Sequence, residues 1–399
     1  MSGSTDRSGR GFATRAVHRP TVPPQDGDPL APALDLSSTY SFEDTEAFAK
    51  ASKERVGAGY VYTRWANPTV DAFEAAVADL EGAHDAEAFA SGMAGIWCAF
   101  LALCGPGDRI VAARQLYGNT YSLLNTRMKD FGVTTEFFDV DDLDGIAGAL
   151  DGAAMLYCET IGNPRIVVAG LPALGRLARS AGVPLVVDNT FASPALCRPV
   201  EHGATLVLHS ATKFLGGHHD LVGGVACGDP ATIDRVRAVA RDLGPTLAPF
   251  NAWLALRGLA TLPLRVERSS ASALAIAEML ASHEAIDRVD FPGLAGDPSY
   301  GLCRSLLGGR GGGTIGFVIA GGRERASRFQ ERLKVVLPAA SLGGTHSLVV
   351  HAASITHTQL TSEELRAANI DKGFCRLSVG LEDPEDLSED LASALSASA

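Results

Sequence analysis

Two apolar runs in this chain end in side chains that can do chemistry. Residues 184–190, Pro184-Leu185-Val186-Val187-Asp188-Asn189-Thr190, are stopped by a carboxylate, and residues 205–209, Thr205-Leu206-Val207-Leu208-His209, lead into Ser210-Ala211-Thr212-Lys213. Short continuous apolar runs of this kind are the pattern of strands covered on both faces of a parallel sheet. Open α/β sheets bind ligands at the carboxyl edge, and there both runs would deliver Asp188, Thr190, Ser210, Thr212 and Lys213. A lysine can attack a carbonyl, an aspartate can hold a protonated ring nitrogen, and small hydroxyls suit a phosphate; together these are what pyridoxal phosphate (PLP) requires of a protein. Singly each residue is ordinary, since a Lys after a strand is usually solvated and an Asp at a strand end usually forms a turn or a cap. The combination carries the reading.

Other segments point the same way. Ser91-Gly92-Met93 opens an uncharged stretch over residues 88–107. A helix start offers unpaired N–H groups and the positive end of the dipole, and a glycine lets the backbone approach an anion closely. The plain alternative is that Ser91 only caps a helix. Tyr117 follows an apolar run and could stack on a planar ring, or pack a loop. Arg376 begins Arg376-Leu377-Ser378-Val379-Gly380; its planar fork suits a carboxylate held at two points. His218-His219-Asp220 offers adjacent imidazoles that point apart, with no third ligand evident, so no metal is expected.

The chain resembles the γ-family of PLP enzymes of cysteine and methionine metabolism, from about residue 12 to about residue 391. The resemblance rests on Ser37-Ser38-Thr39-Tyr40, Tyr60-Val61-Tyr62-Thr63-Arg64, Asn67-Pro68-Thr69, Ala90-Ser91-Gly92-Met93-Ala94 and Leu116-Tyr117-Gly118. It continues in Glu159-Thr160-Ile161-Gly162-Asn163-Pro164, Val187-Asp188-Asn189-Thr190-Phe191, Ser210-Ala211-Thr212-Lys213, Ser341-Leu342-Gly343-Gly344 and Arg376 to Glu382. It implies the fold type I of PLP-dependent transferases, aspartate aminotransferase-like: α/β, with a mainly parallel seven-stranded sheet and a smaller α+β C-terminal domain. By residue, it implies Lys213 as the cofactor lysine and proton carrier, Tyr117 stacked on the ring, Asp188 at the ring nitrogen, and Asn163 and Thr190 beside it. Gly92, Met93, Ser210 and Thr212, with Ser91, would hold the phosphate, joined across a dimer interface by Tyr62 and Arg64 of the neighbouring subunit. Arg376, Ser341 and Asn163 would bind the substrate carboxylate.

The implied chemistry is γ-elimination giving 2-oxobutanoate and ammonia, of the methionine γ-lyase type, or γ-replacement of the cystathionine γ-synthase or O-acylhomoserine sulfhydrylase type. A non-catalytic PLP-fold binding protein is the distant alternative. The chain departs from the methionine-specialised pattern, with Asn119 where a Cys typically follows the stacking Tyr and Arg241-Asp242 where Lys-Asp is typical. His346 does not support a cystathionine-type pocket, for which a Glu would be expected.

The elements that must position these residues follow from periodicity. Residues 1–65 hold many prolines and few periodic segments and read as an extended arm. Residues 70–81 place Phe73, Ala76, Val77 and Leu80 at helical spacing. From there to about residue 262, short apolar runs (109–112, 134–140, 155–158, 185–187, 206–208) alternate with helical patterns such as 171–181, the signature of a doubly wound sheet. A long helix over 265–282 leads into residues 263–399, where strands 314–319 and 347–350 and helices 323–333 and 382–395 make a smaller α+β domain. The glycine-rich run 308–313 precedes a strand rather than a helix, so it reads as a flexible connection and not as a phosphate loop.

Composition bounds the rest. A chain of 399 residues, 46% hydrophobic, can bury a large core, and a charged fraction of 20% leaves surface for sister subunits in a homotetramer built as a dimer of dimers. A formal net charge of −12 argues against nucleic acid and anionic membranes as partners; a small amino acid is the expected ligand. Seven scattered cysteines with no paired spacing suit a reducing cytoplasm and neither disulfides nor structural zinc. Residues 1–10 lack the apolar core of a signal peptide and are expected to be a disordered tail. The uncharged stretch 88–107 approaches the length of a membrane span, yet Ser91-Gly92, Gly95 and Gly105-Pro106-Gly107 interrupt it, so a buried helix is expected.

Overall fold

The computed structural model describes residues 9–18, 30–53, 59–352, 355 and 371–398. Seven strands form the larger sheet: β1 Asp85–Phe89, β2 Arg109–Ala113, β3 Thr134–Phe138, β4 Met155–Glu159, β5 Leu185–Asp188, β6 Leu206–Ser210 and β7 Gly224–Gly228. Their order is β1-β7-β6-β5-β4-β2-β3, and β7 runs antiparallel to both its neighbours while the pairs among β2 to β6 are parallel. The expected mainly parallel seven-stranded sheet is therefore present. β4 is buried along its whole length, as its unbroken apolar run requires.

Five further strands make the smaller sheet: β8 Ile286–Asp290, β9 Thr314–Ile319, β10 Leu337–Pro338, β11 Leu348–His351 and β12 Phe374–Ser378, in the order β10-β11-β12-β9-β8. One apolar core, with Phe73, Phe89, Phe100 and Tyr157, packs on the larger sheet; a second, with Phe291, Phe317, Phe329 and Leu391, lies against the smaller one. The helix Leu262–Ser282 contributes to both, through Leu262 and Val266 at its start and Ala273, Ile276 and Leu280 further on.

Local chemistry explains the helices that frame the site. Helix Pro68–Glu81 begins with proline at its first position, and the Asn67 side chain accepts from the N–H groups of Thr69 and Val70. It stops at Gly82, whose φ of 77° is open to glycine at little cost. Helix Gly92–Leu103 begins at Ser91, which accepts from Ala94 N. The uncharged stretch is thus a short helix buried against the sheet. Among the described residues no helix is long and apolar enough to cross a membrane.

Several expectations are corrected. The arm is not extended throughout: helices Phe12–Val17 and Thr45–Lys53 lie in it, each too short to show a clear period in the sequence. The expected disordered tail falls mostly on residues 1–8, outside the described residues, as do Pro20, Pro23, Pro24 and Pro29. The run Gly308–Gly313 is not a loose connection at its distal end. Gly311, Gly312 and Gly313 are buried, and a Cβ on Gly311 would come within 2.4 Å of the Phe291 ring. Strand β3 ends at Phe138, before the expected Val140, and helices near 265, 323 and 382 begin at Leu262, Gly322 and Pro384. β1 and β7 were not expected, because Asp85 and Glu87 interrupt one run and glycines bracket the other.

Candidate active site

The carboxyl ends of β4, β5 and β6 open into a cavity of ≈ 360 Å³, closed on the other side by the segment Ala340–Leu342 and by Arg376 of β12. Ser91, Gly92, Met93, Tyr117, Asn163, Asp188, Thr190, Ser210, Thr212, Lys213, Ser341 and Arg376 all line it. Tyr62 and Arg64 do not. Arg64 lies 5.5 Å over the Tyr62 ring and donates through Nη1 to the carbonyl of Arg241 at 2.6 Å, while Tyr62 is 42% exposed.

Lys213 stands just past β6, and its Nζ donates to Ser341 Oγ at 3.0 Å. Burial, with the nearby Arg376 charge, lowers its pKa to about 8. A far larger share of the amine is therefore neutral near neutral pH than in an ordinary lysine, and that share can act as a nucleophile. Ser341 is held at a φ of 141°, unusual for a residue with a side chain, and faces two ways: its hydroxyl meets Lys213, and its carbonyl accepts from Arg376 Nη2 at 3.3 Å. Arg376, 4% exposed, also donates from Nη1 to Asn163 Oδ1 at 2.9 Å, and its buried Nε has no partner. Burial brings its pKa to about 10, so it remains a cation held by neutral acceptors. That arrangement lacks an anion.

Asp188 ends β5 and accepts from Thr190 N at 2.9 Å. Burial raises its pKa, opposed by the Thr190 hydrogen bonds and by His209. Behind it lies a buried polar network absent from the sequence reading. His209 Nε2 meets Glu81 Oε1 at 2.6 Å, Asn189 Nδ2 donates to the same oxygen at 2.7 Å, and Thr160 Oγ1 donates to Asn189 Oδ1 at 2.7 Å. Among the lining residues missed as site residues, Phe191 and Glu159 lie in quoted motifs and carry the most chemistry. Phe191 packs its ring 5.8 Å from the Arg376 guanidinium. Glu159 pairs in register with Asp188, and its Oε1 accepts from Tyr117 N at 2.6 Å. Burial, then the neighbouring Asp188, pushes its carboxyl well above the usual range. Burial also raises the pKa of Tyr117, whose hydroxyl accepts from Asn119 Nδ2 at 3.1 Å.

The residues fit PLP on a structural test. Gly92 passes so close to β6 that a Cβ would sit 2.8 Å from Ser210 Cβ, and a Cβ on Gly224 would sit 2.3 Å from Ser91 O. Only glycines allow the helix start to press on Ser210, leaving a tight, hydroxyl-lined cradle of N–H groups suited to a phosphate. Ser91 is at once the helix cap and a cavity residue. Among the described residues no group of three or more His, Cys, Asp or Glu could hold a metal ion; His218 Nδ1 meets the carbonyl of Gly216 at 2.8 Å.

A doubly wound sheet, a lysine of lowered pKa at its carboxyl edge and an anion-ready cradle define a PLP-dependent enzyme. The model of the family described as Cys/Met metabolism PLP-dependent enzyme matches residues 13–396, and the chain belongs to that family, whose relatives are lyases and transferases of sulfur amino acid metabolism. It is 40% identical over 392 residues to the L-methionine gamma-lyase of Pseudomonas putida, covering 98% of each chain. It is 38% identical to the O-acetyl-L-homoserine sulfhydrylase of Leptospira meyeri, covering 96% of each. A solved structure from Campylobacter jejuni, described as a candidate O-acetylhomoserine (thiol)-lyase with a pyridoxyl-lysine monophosphate, superposes with a TM-score of 0.93 at 31% identity, covering 97% of this chain and 100% of that one.

Proposed function

We propose that the protein is a methionine γ-lyase-like C–S lyase that removes the γ-substituent of a sulfur-containing or O-acylated homoserine-type amino acid, giving 2-oxobutanoate and ammonia. The observation that carries this reading is the Lys213–Ser341–Arg376 line, in which a partly neutral amine and an unpaired buried cation share one serine. Arg376, with Asn163 and Ser341, holds the substrate α-carboxylate and so presents Cα to Lys213. PLP, when bound, supplies an electron sink that makes the C–H bonds beside the substrate nitrogen acidic.

Lys213 would hold PLP through Nζ and, with substrate bound, would be the base that takes the Cα proton on that same atom. Asp188 would hold the protonated ring nitrogen of PLP, which would give its buried carboxylate a cationic partner. Tyr117, oriented by Glu159, would pack on the PLP ring, and its raised pKa keeps a proton on the hydroxyl for the leaving group. Ser91, Gly92, Met93, Ser210 and Thr212 cradle the phosphate, and Thr190 supports Ser210 by accepting from its N–H at 2.8 Å.

Tyr62 and Arg64 reach the phosphate of a neighbouring subunit, in a cytoplasmic homotetramer whose sites are shared within dimers. The divisions of the chain at about residues 65 and 262 go with this reading, as arm, cofactor domain and substrate-side domain.

Asn119 favours a second reading, γ-replacement. Its amide occupies the Tyr117 hydroxyl, where the methionine-specialised pattern has a thiol. Product analysis with methionine, cystathionine and O-acylhomoserines, with and without added thiol, decides between them. Release of 2-oxobutanoate from methionine without thiol supports the lyase. Formation of a thioether only when thiol is present overturns it in favour of replacement.

A further inference from the structure

The segment after β4 is tied to the smaller sheet at both ends. At one end Asn163 Oδ1 accepts from Arg376; at the other, Arg165 Nε donates to Asp290 Oδ2 at 3.2 Å across a sequence gap of 125 residues. The Arg165 side chain is 25% exposed and that of Asp290 8%. Asp290 pairs with Gly316 in β9, and Gly316 pairs with Arg376 in β12. Directly paired residues share a face of a sheet, so Asp290 and Arg376 stand on one face, two strands apart, and Gly316 between them adds no side chain of its own, its space being taken by the Phe374 ring. Two strand spacings are about 10 Å, and residues 163 to 165 span at most about 7 Å of backbone. The long Arg165 side chain closes the difference.

We infer that Arg165 and Asp290 are a positioning pair, which pins this segment across the small sheet so that Asn163 meets the Arg376 fork and fixes where a carboxylate can be held. The inference rests on the reading of Arg376 given above. A cation from the large domain grips an anion of the small one, while beside it a cation of the small domain grips an acceptor of the large one. Asp290 Oδ1 also accepts from Arg288 Nε at 3.0 Å. Loss of Arg165 therefore leaves Asp290 paired and spares the fold the cost of a lone buried charge. What it removes is the anchor of the segment.

The test uses the holoenzyme and two ligands. L-norleucine has no γ leaving group, and pentylamine is the same chain without the carboxylate; binding of each is read from the visible absorbance of the cofactor. Arg165→Gln is expected to weaken norleucine about tenfold, within the range for coupled neighbours, with pentylamine unchanged and recovery in Arg165→Lys. Norleucine binding unchanged in Arg165→Gln, or both ligands weakened alike, overturns the inference. Should Asp290→Asn fail to fold because it weakens the Arg288 contact as well, although Arg288 keeps Asp371 at 2.9 Å, Arg165→Gln still decides. Arg376→Lys separates the two ideas: if it too binds norleucine normally, the carboxylate reading has failed. If it weakens norleucine while Arg165→Gln does not, only the positioning pair has failed.

Discussion

Arg376→Lys should raise KM strongly while leaving the cofactor spectrum nearly unchanged. Arg376 spends Nη1 on Asn163 and Nη2 on the Ser341 carbonyl, with Nε unpartnered, so its fork is oriented but not neutralised. A lysine keeps the charge and loses the planar pair of donors. It also strands Asn163 Oδ1, a buried acceptor. Hydrogen bonds to charged groups contribute about 1.5–3 kcal/mol, which corresponds to a fall of roughly tenfold to over a hundredfold in kcat/KM. Steady-state kinetics on whichever substrate product analysis identifies would measure this, with the visible spectrum as the control for cofactor binding. Because Arg376 touches no residue of the Ser91–Gly92 cradle by hydrogen bond, the spectrum and the affinity for PLP should hold. Kinetics close to wild type would refute the argument and move the carboxylate elsewhere, without touching the reading of Lys213.

Three other outcomes follow from the geometry. In the PLP-free protein, condensation of PLP with Lys213 needs the neutral amine, so its rate should rise through about pH 8 and level off above; a midpoint near about 10, the value of an ordinary lysine, would show that burial does not act on it. Gly92→Ala forces a Cβ onto Ser210 and should weaken PLP retention on dialysis far more than it lowers the melting temperature of the PLP-free protein; normal retention would remove the helix start from the phosphate site. Inactive Arg64→Ala subunits mixed with inactive Lys213→Ala subunits should regain activity in hybrids, since each supplies what the other lacks. No recovery after proven subunit exchange would count against a shared site.

The parts of this molecule legible in the sequence are those written locally. The β5 and β6 runs are unbroken, so Asp188 and Lys213 could be placed at one sheet edge before any coordinates. The spacing of Phe73, Ala76, Val77 and Leu80 likewise marks a helix, though it starts at Pro68, two residues before the expected 70. What could not be read depends on register between distant segments. Glu159 is an unremarked carboxylate until β4 pairs with β5 and sets it against Asp188. The His209–Glu81 contact joins residues 128 apart, and nothing around either predicts the other. Strand β7 is nearly invisible because its ends are glycines, yet Gly224 is what permits close packing on Ser91, and Gly228 likewise packs closely on the Thr205 carbonyl. The buried end of Gly308–Gly313 was misread for a related reason: composition suggested slack, whereas the space beside Phe291 admits no side chain.

The sharing of helix Leu262–Ser282 between two cores has a consequence for the order in which the chain can settle. The larger core takes Leu262 and Val266 from the start of that helix, Cys303, Leu306 and Leu307 from beyond it, and Leu342 from further still. A chain emerging from the ribosome therefore cannot complete its first hydrophobic centre when the seventh strand is made. It must wait until the second is largely synthesised. Nascent chains would spend that interval with an unfinished apolar surface exposed, a window in which chaperones or a sister chain can cover it.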